Sequence, residues 1–207
     1  MELLPSPDFK NSSHKLILAH GAGAPMDSIF MNEISRELVC HGIGVARFEF
    51  EYMALRRTEN KKKPPPKAEK LIEEYATVVE YLADKQPIFI GGKSMGGRVA
   101  SLLAAQAYPL IEGVICLGYP FHPLGKKDKL RVEHFEEIEQ KSLIVQGTRD
   151  PMGNADCVAN LNLPEVIKIH WLKDGDHDFK PRKASGYTQL EHIQSAAKAV
   201  SDFIKAC

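Results

Sequence analysis

Short apolar runs that alternate with amphipathic stretches are the feature that most limits how this chain can fold. Each run is rich in Val, Ile, Leu and Phe, and the stretches between the runs repeat their apolar residues at helical spacing. Strands that alternate with helices form βαβ units, which require a mostly parallel, buried sheet with helices on both faces. We therefore predict an α/β fold with strands at 15–19, 43–50, 87–90, 114–117, 143–146 and 166–171.

Most of the segments that follow these strands are predicted to contain a helix, and one polar segment is a clear exception. Asp27 or Ser28 is the predicted N-cap of the first helix, and Gly42 follows its end. The exception is 53–67, which is polar and basic and carries three prolines, so we predict a loop with a stiff polyproline piece. The lysines at 61–63 are predicted to solubilise that loop. The predicted helices span 26–39, 68–84, 95–107, 131–139 and 188–204.

Composition narrows the class of protein. The 207 residues are predicted to form one domain, 1–207, and 27 basic residues balance 27 acidic ones, so no overall charge favours nucleic acid or an anionic membrane. No apolar run approaches the ~20 residues of a membrane helix, and the first ten residues do not resemble a signal peptide. The four cysteines are scattered without C-x-x-C spacing. We expect a cytoplasmic protein with reduced thiols, no cofactor and no bound metal, acting on a small molecule.

The stretch IGGKSMGGR, residues 90–98, has two possible interpretations. Gly92, Lys93 and Ser94 resemble the end of a phosphate-binding P-loop, but that motif needs glycine at the position of Pro87. The alternative is G-x-S-x-G, in which a serine lies on a strained turn between a strand and a helix. The apolar run before Ser94 and the helical pattern after it favour this second interpretation. We predict that Ser94 is a nucleophile.

A nucleophilic serine needs a base and an acid that orients the base, in the chain order serine, acid, histidine. Asp150 follows the strand predicted at 143–146, and Asp156 is the alternative acid. His177 follows the last predicted strand and precedes the last helix, which makes it the predicted base. The acidic run around His177 does not fit a calcium-binding EF-hand loop, because Phe179 stands where that loop needs glycine.

An oxyanion hole requires two backbone N–H donors near the serine. Met95, directly after the nucleophile, is one predicted donor. Ala22 in the loop HGAG is the other, with Gly23 as the alternative and as a substrate-loop residue. His20 in the same loop is also compatible with a purely structural role. Four loop residues are predicted to hold an anionic group of the substrate: Tyr119, His122, Arg56 and Arg57. The alternative is that they are only solvated loop side chains. Arg98 is predicted to pin neighbouring loops.

Taken together, these motifs resemble the α/β-hydrolase superfamily over residues 16–204. The segments LAHGAGAPMDS, GGKSMGGR, GYPFHP and QGTRDPMG are similar to a branch of small predicted hydrolases related to dienelactone hydrolases, and to the hydrolase-like domain of animal testis-expressed and non-specific-lethal chromatin-complex proteins. The resemblance implies Ser94, Asp150 and His177 as a triad, with Ala22 and Met95 at the oxyanion hole. Dienelactone hydrolases use a cysteine nucleophile, whereas this chain has Ser94. The short segment before residue 15 implies that the first antiparallel strands of the superfamily are trimmed or missing.

Three functions follow from these observations. The first is a serine hydrolase of small esters or thioesters, with little or no lid because only about two dozen residues separate the strands at 114–117 and 143–146. The second is a protein-interaction module that keeps a hydrolase scaffold without catalysis. The third is another acyl-transfer reaction, such as that of a peptidase or an acyltransferase, on the same triad.

Overall fold

A computed structural model describes residues 2–59, 64–83 and 87–207. These residues form one sheet in the order β1-β3-β2-β4-β5-β6-β7. All neighbouring strands are parallel except β1, which runs antiparallel to β3. The strands are β1 (Glu2–Pro5), β2 (Lys15–Ala19), β3 (Gly44–Glu49), β4 (Ile88–Lys93), β5 (Ile111–Leu117), β6 (Ser142–Gly147) and β7 (Ile167–Leu172).

Helices lie between most of the strands, as the alternating pattern predicts. Thr188 begins the last helix with a capping box, in which its side chain and that of Glu191 satisfy each other's backbone N–H groups. Short 3-10 helices span Glu133–Glu137 and Lys183–Ser185. The α-helices are α1 (Ile29–Cys40), α2 (Glu51–Glu59), α3 (Ala68–Ala83), α4 (Met95–Ala104), α5 (Ala155–Ala159) and α6 (Gln189–Lys205).

Two apolar clusters cover the two faces of the sheet. On one face, α3 and α4 pack against the strands through residues such as Tyr75 and Val99. On the other face, α1 and α6 do so through residues such as Ile34 and Val200. Each fully buried aliphatic side chain contributes roughly 1.5–3 kcal/mol relative to an exposed one. The sheet is therefore fixed from both sides, and the loops that leave its strands rest on a rigid platform.

Three sequence predictions need correction. No strand is predicted before residue 15, whereas the structure has the four-residue antiparallel strand β1, whose mostly exposed residues give no apolar signal but pair with β3. Much of the loop predicted at 53–67 is the helix α2, which starts at Glu51 as soon as β3 has ended. The helix predicted at 131–139 is a single short 3-10 segment. The lysines at 61–63 and Asp84, the predicted end of the third helix, lie outside the described residues.

The parallel strands bring their carboxyl ends to one edge of the sheet. Loops from β2, β4, β6 and β7 leave there, and in open α/β sheets this edge is where ligands bind. None of the helices in the described part of the chain is both long and apolar enough to cross a bilayer.

Candidate active site

Ser94 lies on a strained turn between β4 and α4. Its φ of 52° and ψ of −113° are unfavourable for a residue with a side chain. The turn is so closely packed that a Cβ at Gly92 or at Gly96 would lie 2.5 Å from the carbonyl oxygen of Ala19. Glycine is therefore required on both sides of the serine, and the G-x-S-x-G spacing has a steric cause.

The Ser94 hydroxyl, the His177 ring and the Asp150 carboxylate are joined by two consecutive hydrogen bonds. Oγ of Ser94 is 2.8 Å from Nε2 of His177, and Nδ1 of His177 is 2.7 Å from Oδ2 of Asp150. When Nδ1–H donates to the carboxylate, Nε2 is left to accept a proton from the serine. The alternative acid, Asp156, is exposed on α5. The structure thus brings the three predicted residues together in the geometry that activates a serine.

Asp150 is fully buried and held by groups other than His177. The backbone N–H of Met152 donates to its Oδ1 at 2.8 Å, and the side-chain amide of Gln146 donates to its Oδ2 at 2.9 Å. Gln146 is itself fully buried and also bonds the backbone of Tyr119 and Gly153. Sequence reasoning missed Gln146, although its position at the end of the strand that precedes Asp150 was a usable signal.

Lys93 is a second residue with a role that the sequence did not predict. The residue is only 6% exposed, and its Nζ donates to the backbone carbonyl of His177 at 2.7 Å. Nζ also pairs with Asp178 at 3.2 Å and lies 5.3 Å from the centre of the Phe30 ring. Burial lowers the pKa of Lys93, and the nearby carboxylate of Asp178 opposes that shift. Lys93 therefore ties the loop of His177 to the strand that precedes Ser94.

The loop after β2 is held in place by two buried rings. His20 is fully buried, with Nδ1 2.7 Å from the carbonyl oxygen of Gly21, while its Nε2 accepts the backbone N–H of Phe50. Burial lowers the pKa of His20, so the ring stays neutral. The Tyr52 hydroxyl donates to the carbonyl of Ala22 at 3.0 Å. These contacts fit the structural role considered for His20.

The predicted oxyanion donors, Ala22 and Met95, line the same cleft as Ser94. Met95 is the first residue of α4, so its N–H has no acceptor within the helix. Among the hydrogen bonds of the described residues, none uses the N–H of Ala22. Gly23 is exposed beside them, and a Cβ placed there would contact nothing within 4 Å. Both residues therefore border the cleft beside Ser94, and neither N–H has an acceptor among the described residues.

The four side chains predicted to hold an anion do not line this cleft. Tyr119 and His122 are buried, at 0% and 1% exposure, which contradicts a substrate contact. Arg57 forms ion pairs with Glu49 and Asp27, which fasten α2 to β3 and to the loop after β2. Arg56 lies over the Tyr52 ring. These arginines lie on the helix α2, and not on an open loop as predicted.

The cleft at Ser94 has a volume of about 250 Å³ and a mostly apolar wall. Prolines and aliphatic side chains form that wall, and they come from α3, from the segment just before it, from α4 and from the loops after β5 and β6. Two cationic side chains, Arg98 and Arg131, also line it, although Arg98 was predicted only to pin loops. The wall residues are Pro65, Pro66, Ala68, Leu71, Val99, Pro120 and Met152.

A family profile described as the alpha/beta hydrolase domain matches residues 12–205. The chain belongs to the α/β-hydrolase family. It is thus an α/β-fold hydrolase, as the serine turn and the alternating strands and helices predict. The match extends over almost the whole chain.

Solved structures of other α/β-fold proteins show the same architecture. Est1E from Butyrivibrio proteoclasticus, with ferulic acid bound, is 16% identical with a TM-score of 0.74, over 99% of this chain and 94% of that one. The esterase domain of a Rhodothermus marinus protein is 16% identical with a TM-score of 0.69, over 99% and 91%. A dienelactone hydrolase from Anabaena variabilis is 15% identical with a TM-score of 0.67, over 94% and 87%. At these identities the likeness shows the shared fold.

Proposed function

We propose that this α/β-fold hydrolase cleaves small carboxylic esters or thioesters through a Ser94–His177–Asp150 triad. The observation that carries the proposal is the hydrogen-bonded line of 2.8 Å and 2.7 Å that joins the three side chains beside a cleft. A strained serine is itself a sign of function, because the turn would be more relaxed with glycine. The cleft volume of about 250 Å³ suits a small acyl group better than a long lipid chain.

The geometry supports a two-step reaction. Nε2 of His177 takes the hydroxyl proton as Oγ of Ser94 attacks the carbonyl carbon, and the N–H groups of Ala22 and Met95 stabilise the oxyanion. His177 then gives that proton to the leaving alcohol or thiol, which leaves an acyl-enzyme. Water, deprotonated by the same Nε2, releases the acid and regenerates the serine. Asp150 holds the His177 ring in the required tautomer throughout.

Labelling with a fluorophosphonate probe tests the triad, because this probe needs an activated serine and little substrate specificity. We expect the wild type to be labelled, and labelling to be lost in Ser94→Ala and reduced at least about a thousandfold in rate in His177→Ala. Ser13→Ala changes an exposed serine outside the site and is the matched control. Circular dichroism shows whether each variant is folded.

A folded wild type that the probe does not label would overturn this proposal. That result would favour the alternative of an interaction module on a hydrolase scaffold. If labelling occurs, a panel of matched ester, thioester and amide substrates separates hydrolysis of esters from peptidase chemistry, and added alcohol acceptors reveal acyl transfer.

A further inference from the structure

Arg98 and Arg131 are two cations in the cleft at Ser94 that the triad chemistry does not use. Arg98 lies one helical turn beyond the nucleophile on α4, and its backbone N–H donates to the Ser94 carbonyl at 3.0 Å. Residues four apart share one face of a helix, which explains why both side chains line the same cleft. Arg131 reaches the cleft from the loop after β5.

Neither guanidinium has a carboxylate partner among the residues that the structure describes. The ion pairs of this part of the chain involve other cations, such as Arg57, Lys93 and Arg182. The Nε–H of Arg98 is buried and donates to no acceptor within the described residues. A buried cationic N–H without an acceptor is unfavourable, so an anionic acceptor in the cleft would stabilise Arg98.

The two charges also act on each other. Burial lowers the pKa of Arg131, and the positive charge of Arg98 lowers it further. Two like charges in a half-buried cleft repel, and this repulsion opposes folding unless an anion joins them. A pair of guanidinium groups on one side of a cleft is the arrangement that binds the oxygens of carboxylates and phosphates.

The backbone of Arg131 is fixed by buried aromatic residues. Its N–H donates to the carbonyl of Phe121 at 2.8 Å, and its carbonyl accepts the Tyr119 hydroxyl at 2.7 Å. Both polar backbone atoms are therefore occupied, and only the side chain is left to interact with a ligand. Tyr119 contributes to the cleft in this indirect way, through the position of Arg131.

We propose that Arg98 and Arg131 bind an anionic group, a carboxylate or a phosphate, on the ester or thioester that Ser94 attacks. This inference rests on the proposed function and narrows it to substrates that are negatively charged near the scissile carbonyl. The anion lies either on the acyl group or on the leaving group. Apolar atoms between the anion and the carbonyl would contact the proline and aliphatic wall of the cleft.

Matched esters with and without an anion test the proposal. The 4-nitrophenyl monoester of glutaric acid against 4-nitrophenyl valerate places a carboxylate on the acyl side. On the leaving-group side, 4-acetoxybenzoate and 4-acetoxyphenyl phosphate are compared with phenyl acetate. We expect kcat/KM for at least one anionic ester to exceed that of its neutral partner about tenfold or more, as a charge-assisted hydrogen bond allows. The pair that shows the preference identifies the position and kind of the anion.

The ratio of kcat/KM for the anionic ester to that for its neutral partner is the readout in the variants. We expect this ratio to fall about tenfold in Arg98→Met and in Arg131→Met, and less in Arg98→Lys and Arg131→Lys. A general loss of activity from disturbed packing cancels in the ratio. Arg36→Met, which removes an exposed arginine from α1, is the control and should leave the ratio unchanged.

Two results would overturn the inference without touching the triad. One is a wild type that hydrolyses the neutral esters as well as or better than every anionic one. The other is an Arg98→Met/Arg131→Met double variant that is folded, active and unchanged in its ratio.

If neither esters nor the fluorophosphonate react, the proposed function fails, and calorimetric titration with glutarate and with inorganic phosphate tests the anion site alone. Binding that the double variant loses would support the site, and absence of binding would refute it.

Discussion

At the scale of single residues, the side chain next to Ser94 has the clearest role that the sequence did not predict. Lys93 contacts the backbone carbonyl of His177 and the carboxylate of Asp178, and neither contact involves the reacting atoms. It is a positioning residue, because it would affect the reaction only by fixing the position of the His177 ring. A buried cation is also unfavourable for stability when its partners are few.

We predict that Lys93→Met separates activity from stability. The loop of His177 loses a donor, so kcat should fall about tenfold or more, since misplacement of a catalytic group by 1 Å can cost about a hundredfold. KM should change little, and the melting temperature should stay equal or rise because a buried charge is removed. Steady-state kinetics and thermal unfolding measure the two effects. Lys126→Met is an exposed control, and a parallel loss of stability and activity would contradict a positioning role.

The positions of the three residues of the proposed triad could be predicted from the sequence, whereas the contacts that hold them could not, for a physical reason. Ser94, Asp150 and His177 occupy fixed places relative to strand ends, so their order in the chain is informative. The bond from Lys93 to His177 joins residues 84 positions apart and depends on a side-chain direction that no local pattern encodes. The prediction for Tyr119 was wrong because a position at a strand exit does not distinguish a side chain that enters the core from one that faces the cleft.

At the scale of elements, the loop that carries His177 is held by the carboxylate of Asp174. Arg182 donates to it from its side chain and from its backbone, and Arg149 pairs with it at 2.9 Å. The side-chain hydrogen bonds of Arg182 lower the pKa of Asp174 to about 2. Asp174 also has a φ of 60°, which asparagine tolerates better than most residues. The loop is thus fixed by a charge rather than by apolar packing alone.

This carboxylate should give the fold a measurable acid dependence. The folded protein keeps Asp174 ionised down to about pH 2, whereas the unfolded chain binds the proton near pH 3.9. Asp174 therefore contributes stability that is present above about pH 4 and lost as the pH falls towards 2. Asp174→Asn should be less stable than the wild type at pH 7 and should lose less stability between pH 4 and 2. Urea unfolding at several pH values measures both.

Asp128→Asn, an exposed loop carboxylate, is the matched control for that series. The same acid dependence in Asp174→Asn and in the wild type would show that the ion pairs with Arg182 and Arg149 do not stabilise the fold.

Elements with an apolar face could be predicted, whereas those held by polar contacts could not. The helix α3 begins at the predicted residue and is helical to the last residue described there, because its apolar residues repeat at helical spacing. The helix α2 is polar over most of its length, and Arg57 fastens it to Glu49 and Asp27 in a way that only the folded chain provides. Strand β1 likewise depends on its partner β3 and not on its own sequence.

At the scale of the whole molecule, the sheet converts separate sequence motifs into one site. The proposed nucleophile, acid and base follow β4, β6 and β7, and parallel pairing places these strand ends on one edge. The fold class was predictable because alternation of strands and helices allows few arrangements. The arginine pair was not, because Arg98 and Arg131 come from different elements and their meeting depends on the full packing of the loop after β5.

The backbone of Ser94 has a consequence for how this protein would change under selection in the laboratory. A side chain at φ 52° and ψ −113° costs on the order of 1–3 kcal/mol, and glycine would avoid most of that cost. A library selected for thermal endurance alone should therefore become enriched in Ser94→Gly, and these survivors should be inert towards fluorophosphonate. The same library screened for catalytic turnover should retain serine at position 94. The two selections should therefore enrich different residues at this position.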